Sequence, residues 1–252
     1  AAKFDQNYNS QYSYIAKVGY PMGMMYGFIY EGTYKYEDFD KVGDTYTLKR
    51  NVPYFSSESN TQPGMPKYAD LNGDGTIDDN DRTMIGNGMP KHTGGFTNNF
   101  EYKGFDLSIF FQWSYGNDVL NANRLFFENS NKTRDLNQYA SYADRWTPEN
   151  PESNIPRATD YGSNKVFSTR IIEDGSFLRL KTVSLGYTLP KQLTKKWKID
   201  NARVFVAGQN LWTCTGYSGY APEVSIREGA LTPGLDFSAY PRAYSISFGI
   251  NL

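Results

Sequence analysis

From Phe96 to Tyr115 the chain alternates apolar and polar residues with a period of two. Phe96, Asn98, Phe100 and Tyr102 share one parity, with Thr97, Asn99 and Glu101 on the other. Lys103-Gly104 interrupts the run. Phe105, Leu107, Ile109, Phe111, Trp113 and Tyr115 then alternate with Asp106, Ser108, Gln112 and Ser114. A period of two puts each set on its own face of a β-strand, and a two-residue break ending in glycine predicts a hairpin turn. The second strand runs for about 11 residues, long enough to cross a bilayer when tilted, whereas most soluble strands are nearer five or six. Tyr102 and Phe105 lie at the turn, and Trp113 and Tyr115 at the far end. Such amphipathic rings favour the two membrane interfaces, so the pair resembles two aromatic girdles. The competing reading is the buried face of a soluble sandwich.

The same pattern recurs along the chain. Met22, Met24, Tyr26, Phe28 and Tyr30 predict a strand that Tyr34 and Tyr36 extend. Val183, Leu185, Tyr187 and Leu189 alternate with Thr182, Ser184, Gly186 and Thr188, and residues 202–212 make another strand after a basic turn at 190–201. Tyr244, Ile246, Phe248, Ile250 and Leu252 close the chain against Ser245, Ser247, Gly249 and Asn251. Residues 1–12 read as a tail or the end of a truncated element, and residues 51–69 as loop from their Ser, Asn, Pro and Gly content. Within 116–176, Asp135 is placed to cap a helix carrying Leu136, Tyr139, Ala143 and Trp146 on one face.

Composition narrows the function classes. Aromatics make up 16% of 252 residues, a high share, with 21 Tyr and 16 Phe. No apolar run is long enough for a transmembrane helix, but membrane β-barrels alternate and look polar on average, so a mean hydropathy of −0.63 is compatible with one. A net charge of −1 shows no nucleic-acid footprint. Cys214 is the single cysteine and His92 the single histidine, so an internal disulfide and a Cys/His zinc cluster are excluded by count. His92 reads as a surface residue at a strand start. The acidic residues form no catalytic motif, so an enzyme such as a two-carboxylate glycosidase is not expected. The polar Ala1–Asn7 opening lacks the form of a signal peptide, so the chain is expected to be cytosolic, mature or partial.

One motif carries metal chemistry. Asp70, Asn72, Asp74, Thr76, Asp78 and Asp81 occupy positions 1, 3, 5, 7, 9 and 12 of a loop, and Gly75 occupies position 6. That is the spacing of an EF-hand-type calcium loop. Ca2+ takes about six to eight oxygens, and alternate residues of a tightly curled loop can point inward together. Thr76 would contribute its backbone carbonyl, and Ile77 would anchor the loop on apolar neighbours. Position 12 is Asp rather than Glu. The preceding Thr61-Gln-Pro-Gly-Met-Pro-Lys-Tyr68 cannot form the incoming helix, so the expectation is a free-standing structural Ca2+ loop, set against a metal-free Gly/Asp turn.

Connection lengths order these strands in space. Short turns alternate with long excursions, as in outer-membrane barrels with short periplasmic turns and long extracellular loops. On that topology Leu252 ends at the periplasmic rim and the 70–81 loop lies outside. Five to seven strands cannot close a membrane barrel, whose smallest form has about eight, and lipid tolerates no open edge. If these strands belong to such a barrel, further strands are expected N-terminal in sequence or from another chain.

These motifs together resemble the C-terminal part of a SusC/RagA-type TonB-linked outer-membrane transporter of Bacteroidetes. The residues are Val18-Gly-Tyr-Pro-Met-Gly23, Tyr68-Ala-Asp-Leu-Asn-Gly-Asp-Gly-Thr-Ile-Asp78 and Tyr102-Lys-Gly-Phe-Asp-Leu-Ser-Ile-Phe-Phe-Gln112, followed by Arg145-Trp-Thr-Pro-Glu-Asn-Pro151, Gly175-Ser-Phe-Leu-Arg-Leu-Lys181 and Gln209-Asn-Leu-Trp212. The resemblance implies an all-β fold. Residues 1–252 would be the C-terminal part of one transmembrane antiparallel barrel, 22-stranded in the full protein, with a plug lying outside this sequence. It implies TonB energisation, a SusD-like surface lipoprotein as partner, and import of oligosaccharides or, less often, peptides across the bacterial outer membrane. The family commonly ends on an aromatic residue, where this chain has Leu252. Trp146, Tyr217 and Tyr220 lie in loop segments suited to substrate contact. The alternative is a soluble extracellular calcium-binding β-module that binds glycans.

Overall fold

The computed structural model describes residues 2–5, 12–129, 137–158, 166–225 and 229–252. They form two compact units. One comprises residues 1–89, 119–172 and 225–238, and the other residues 90–118, 173–224 and 239–252.

The second unit is built on five long strands: β1 (His92–Tyr102), β2 (Phe105–Tyr115), β3 (Phe177–Thr188), β4 (Arg203–Thr215) and β5 (Ser245–Asn251). They pair antiparallel in the order β1-β2-β3-β4-β5. Every strand therefore lies beside its successor, and the predicted alternation of short and long connections is a property of the sheet. Lys103 and Gly104 both have positive φ, 48° and 86°, the type I′ geometry whose twist matches that of the strands it joins.

The register lines up like with like. Phe100, Leu107, Leu185, Val206 and Phe248 form one row across all five strands, and Tyr102, Phe105, Tyr187, Val204 and Ile250 the next row on the same face. Asn99, Ser108, Ser184, Ala207 and Ser247 make a row on the opposite face. The apolar face is open: Phe100 is 57% exposed, Ile250 67% and Phe248 81%. A contiguous patch of this kind marks an interface with a partner or a membrane. Aromatics gather at both ends, Tyr102, Phe105 and Tyr187 at one and Trp113, Tyr115 and Trp212 at the other.

One residue falls out of this register. The β2–β3 ladder shifts between Phe110↔Thr182 and Phe111↔Leu180, leaving Lys181 as the extra residue. The β3–β4 ladder shifts opposite it, but there the extra residue is on β4, where Asn210 and Leu211 stand against Lys181. The β-bulge at Lys181 lets Leu178 and Leu180 share a face with Val183 and Leu185 although their parity differs. It also explains why alternation alone starts β3 at Thr182, when the strand begins at Phe177.

In the first unit the strand expected from Met22 to Tyr30 is split. Met24–Gly27 pairs with Tyr12–Ala16 and with Thr83–Asn87, while Tyr30–Thr33 pairs with Pro66–Tyr68. Between them Phe28 donates its N–H to the Phe167 carbonyl at 2.9 Å, and the Tyr30 N–H donates to Thr169 Oγ1 at 2.9 Å. Partners more than a hundred residues away thus capture the backbone where parity predicts a continuous strand. Ala2–Asp5, expected as tail, is a strand paired with Tyr12–Ala16. The expected loop 51–69 contains the short strands Tyr54–Phe55 and Pro66–Tyr68.

The expected helix before Trp146 does not form as read. Asp135 and Leu136 lie outside the described residues, and Ala140–Asp144 is a 3-10 turn that ends before Trp146. The α-helix of this region is Asn123–Phe127. Its Leu125 joins Tyr14, Met25, Leu120, Phe167, Ile171 and Leu235 in the main core cluster. Glu128 is buried beside this core and fully engaged. It pairs with Arg124 at 3.1 Å and Arg170 at 2.5 Å, and accepts from Ser141 Oγ at 2.8 Å. A buried carboxylate needs such partners.

Candidate functional site

The 70–81 loop is curled tightly by its own hydrogen bonds. Asp70 accepts from the Gly73 and Gly75 N–H groups at 2.7 and 2.8 Å. The Asn72 side-chain oxygen accepts from Asp74 N–H at 2.9 Å, and Asp74 accepts from Thr76 N–H at 2.8 Å. Asp78 accepts from Asn80 N–H at 2.7 Å and caps the 3-10 turn Asp79–Asp81. Gly73 and Gly75 adopt φ of 76° and 84°, a region that side-chain-bearing residues enter at a cost. These i to i+2, i to i+3 and i to i+5 bonds orient the oxygens at loop positions 1, 3 and 5.

Asp81 behaves differently from the others. It is wholly buried. One carboxylate oxygen accepts from Leu71 N–H at 2.8 Å and Asn72 N–H at 3.3 Å, and the other from Asp78 N–H at 2.8 Å. It therefore buckles the end of the loop to its beginning. Arg82 follows, its guanidinium over the rings of Tyr26 and Phe28 at 4.8 and 5.6 Å.

The loop is seated as its sequence predicts. Ile77 is 1% exposed and packs with Phe28, Tyr68 and Val166, flanked by Tyr30 and Phe55. Thr76–Ile77 pairs in parallel with Tyr54–Phe55, and the Thr76 hydroxyl lies 3.3 Å from that of Tyr54. Burial pushes the Tyr68 phenol far above the usual tyrosine range, so its ring packs there in the neutral form.

The donors fit a hard cation chemically. All are oxygens, and each carboxylate oxygen that accepts one N–H retains a further lone pair. The carboxylates do not converge on their own, since the described residues contain no group of three His, Cys, Asp or Glu side chains gathered as a metal site. A cation here would depend equally on the Asn72 amide oxygen and the Thr76 carbonyl.

The three candidate substrate residues part company. Trp146 is buried against Tyr36 and beneath Arg157, and Tyr217 is buried too. Both are packed within the protein rather than presented at its surface. Only Tyr220, 76% exposed, faces solvent. His92 opens β1 as expected, accepting from Trp113 Nε1 at 3.1 Å and stacking on Tyr115.

Sequence reading missed the charged groups on the polar face of the sheet. Arg203 on β4 pairs with Asp106 on β2. Arg179 on β3 pairs with Glu223 and donates to Thr213 Oγ1 at 2.9 Å, while Arg242 reaches the same Glu223 at 3.2 Å. The only prior signal was that Asp106, Arg179 and Arg203 stand on the polar side of their strands.

No protein-family profile matches the sequence. Individual relatives do. The chain is 34% identical over 245 residues to TonB-dependent receptor P3 of Formosa agariphila, covering 94% of this chain and 23% of that protein. It is 27% identical over 196 residues to TonB-dependent receptor SusC of Bacteroides thetaiotaomicron, covering 77% of this chain and 18% of that protein. Among solved structures, the RagAB peptide importer in its closed-closed state superposes with a TM-score of 0.70 at 26% identity, over 98% of this chain and 24% of that one. The chain thus spans about a quarter or less of the length of each protein it matches. These relatives are receptors and transporters, not enzymes. With an all-β sheet that is apolar on one face and polar on the other, the chain belongs to the SusC/RagA-type TonB-dependent transporters of the outer membrane and contributes to their β-barrel.

Proposed function

We propose that residues 1–252 form the C-terminal part of the barrel domain of a nutrient importer, which takes up oligosaccharides with a SusD-like lipoprotein on the cell surface. The observation that carries this is the five-stranded meander with an open apolar face, joined alternately by short and long connections. A soluble glycan-binding module would not expose Phe100, Phe248 and Ile250 together. In this reading the short turns and Leu252 lie on the periplasmic side, the long segments lie outside, and the polar face lines the lumen. Nutrient binds at the outer end, the lipoprotein closes over it, and the TonB complex supplies the energy through parts of the protein outside these residues.

The 70–81 loop holds a structural Ca2+ in this account. Asp70, Asn72, Asp74 and Asp78 offer side-chain oxygens and Thr76 its carbonyl, with Asp81 completing the set. The ion stiffens an external segment and takes no part in bond chemistry. Peptide is the second substrate reading, favoured by the likeness to the RagAB peptide importer.

The test is to delete the gene and, separately, the gene of the lipoprotein that co-purifies with the protein, and to follow uptake of labelled oligosaccharides and oligopeptides. Loss of oligosaccharide uptake in both strains supports the proposal. Loss of peptide uptake alone assigns the second substrate. Recovery of the native protein from the soluble fraction would sink the importer reading altogether.

A further inference from the structure

The short-turn end of the sheet carries a group of side chains that transport does not use. Between β3 and β4 the chain reads Pro190-Lys-Gln-Leu-Thr-Lys-Lys-Trp-Lys-Ile-Asp200. Lys191–Thr194 forms one helical turn and Lys195–Trp197 a 3-10 turn. Thr194 is buried, Ile199 N–H donates to its carbonyl at 3.2 Å, and Leu189 N–H donates to the Ala202 carbonyl at 2.8 Å. The segment is thus folded on itself and held at its base.

Lys191, Lys195, Lys196 and Lys198 are opposed by Asp200 alone, so four positive charges less one negative leave +3 here, in a chain whose total is −1. All four lysines are exposed. Among the described residues none of them is in an ion pair. Leu193 and Trp197 stand four residues apart and are 44% and 62% exposed. A turn that merely faced water would have no reason to hold a leucine and a tryptophan out of the protein. The segment joins directly to Tyr187 and Val204, which belong to the last apolar row of the sheet with Tyr102, Phe105 and Ile250. Exposed cations, an exposed tryptophan and the rim of the membrane-facing surface are thus continuous.

We propose that this turn is an interfacial anchor for anionic phospholipid headgroups, in the leaflet that borders the short-turn end of the barrel. Trp197 and Leu193 insert at headgroup level, where an amphipathic ring is most stable. The lysines then lie within reach of phosphate oxygens, and each strengthens the attraction to an anionic surface. The proposal rests on the orientation given above only for naming that leaflet the periplasmic one.

The experiment uses the full-length transporter in detergent, titrated with phosphatidylglycerol or phosphatidylcholine, with retained lipid counted by native mass spectrometry. Phosphatidylglycerol should be held preferentially, and less tightly as ionic strength rises. A variant with Lys191, Lys195, Lys196 and Lys198 all changed to Gln should lose affinity by roughly tenfold or more, from about fivefold per lysine near a surface. Trp197→Ala should weaken binding of both lipids without altering the preference. Equal retention of phosphatidylglycerol by the wild type and the lysine variant overturns the proposal, as does salt-independent binding by the wild type or equal retention of the two lipids. Capture of an acidic peptide or peptidoglycan fragment in place of lipid overturns it too. Orientation is read separately, from Gln192→Cys on a cysteine-free background. Labelling by an impermeant maleimide in intact cells would refute the periplasmic placement and leave the lipid result intact.

Discussion

Arg203 reaches across Gly186 to grip Asp106 two strands away, with its Nε 2.8 Å from Asp106 Oδ1 and its Nη2 on the second carboxylate oxygen. A Cβ on Gly186 would collide with the guanidinium, so the glycine on β3 is what lets β2 and β4 exchange charge. Gly186→Val should therefore lower the thermal midpoint of the assembled protein more than Asp106→Asn does. In the Val background, the further change Asp106→Asn should add little. Heat-modifiability on gels for the two single variants and the double variant checks this, and an additive result would show that the glycine serves another purpose.

Loss of the Asp81 carboxylate should be more damaging than loss of any other acid in the loop. Asp81→Ala strands three backbone N–H groups, at least two of them in short bonds. A hydrogen bond to a charged group contributes about 1.5–3 kcal/mol, and Leu71, Asn72 and Asp78 are exposed residues whose freed N–H groups water can reach, so a local penalty of about 2–3 kcal/mol is expected. Hydrogen exchange at Leu71 and Asp78 should speed up in this variant even without metal.

The remaining acids should report on the cation. Tyr54 lies against Thr76, close enough to sensitise terbium placed in the loop. Terbium emission should fall sharply in Asp74→Ala and be displaced by added Ca2+. Chelation should expose the 70–81 segment to protease in the wild type while changing nothing in Asp74→Ala. Emission that is indifferent to this substitution would remove the calcium assignment.

Ile77 tests the seat rather than the ligands. Its side chain is almost wholly buried among Phe28, Tyr68 and Val166, so Ile77→Ala should cost about 2–5 kcal/mol in packing and cavity terms. Terbium affinity should drop as well, because the loop then orders itself only when the ion binds.

The two faces of the sheet can be distinguished by a single pair of variants. Ile109 lies mid-strand on the apolar face, in a row with Val183, Gly208 and Ile246, while Ser108 faces the other way. Ile109→Arg should cost about 2–4 kcal/mol at the bilayer midplane and reduce the heat-modifiable fraction. Ser108→Arg should assemble normally.

Much of this was legible in the sequence, where one residue's neighbours are set by its own strand. The hairpin of β1 and β2 follows from parity, and β2 has the bounds that alternation assigns. The loop at 70–81 was legible because its chemistry lies within twelve consecutive positions. What escaped depends on distant contacts. The split at Phe28 requires the Phe167 carbonyl, and the burial of Trp146 requires Tyr36 and Arg157. The Asp106–Arg203 pair could be assigned to a face but not matched, because matching needs the register of three strands.

The bulge at Lys181 bears on how such a wall can change. Along an unbroken strand, one inserted residue exchanges inside and outside for everything beyond it. At Lys181 the extra residue is absorbed by a bulge against β2, and Asn210 and Leu211 on β4 stand opposite it, so Leu178 and Arg179 keep their proper sides. Face identity here is stored in cross-strand pairs rather than in a count along the chain. Deleting Lys181 should therefore leave the wall in phase, whereas deleting Ile109 should turn part of β2 inside out. A barrel built with such joints can gain or lose a residue locally without surrendering the distinction between its lipid side and its channel side.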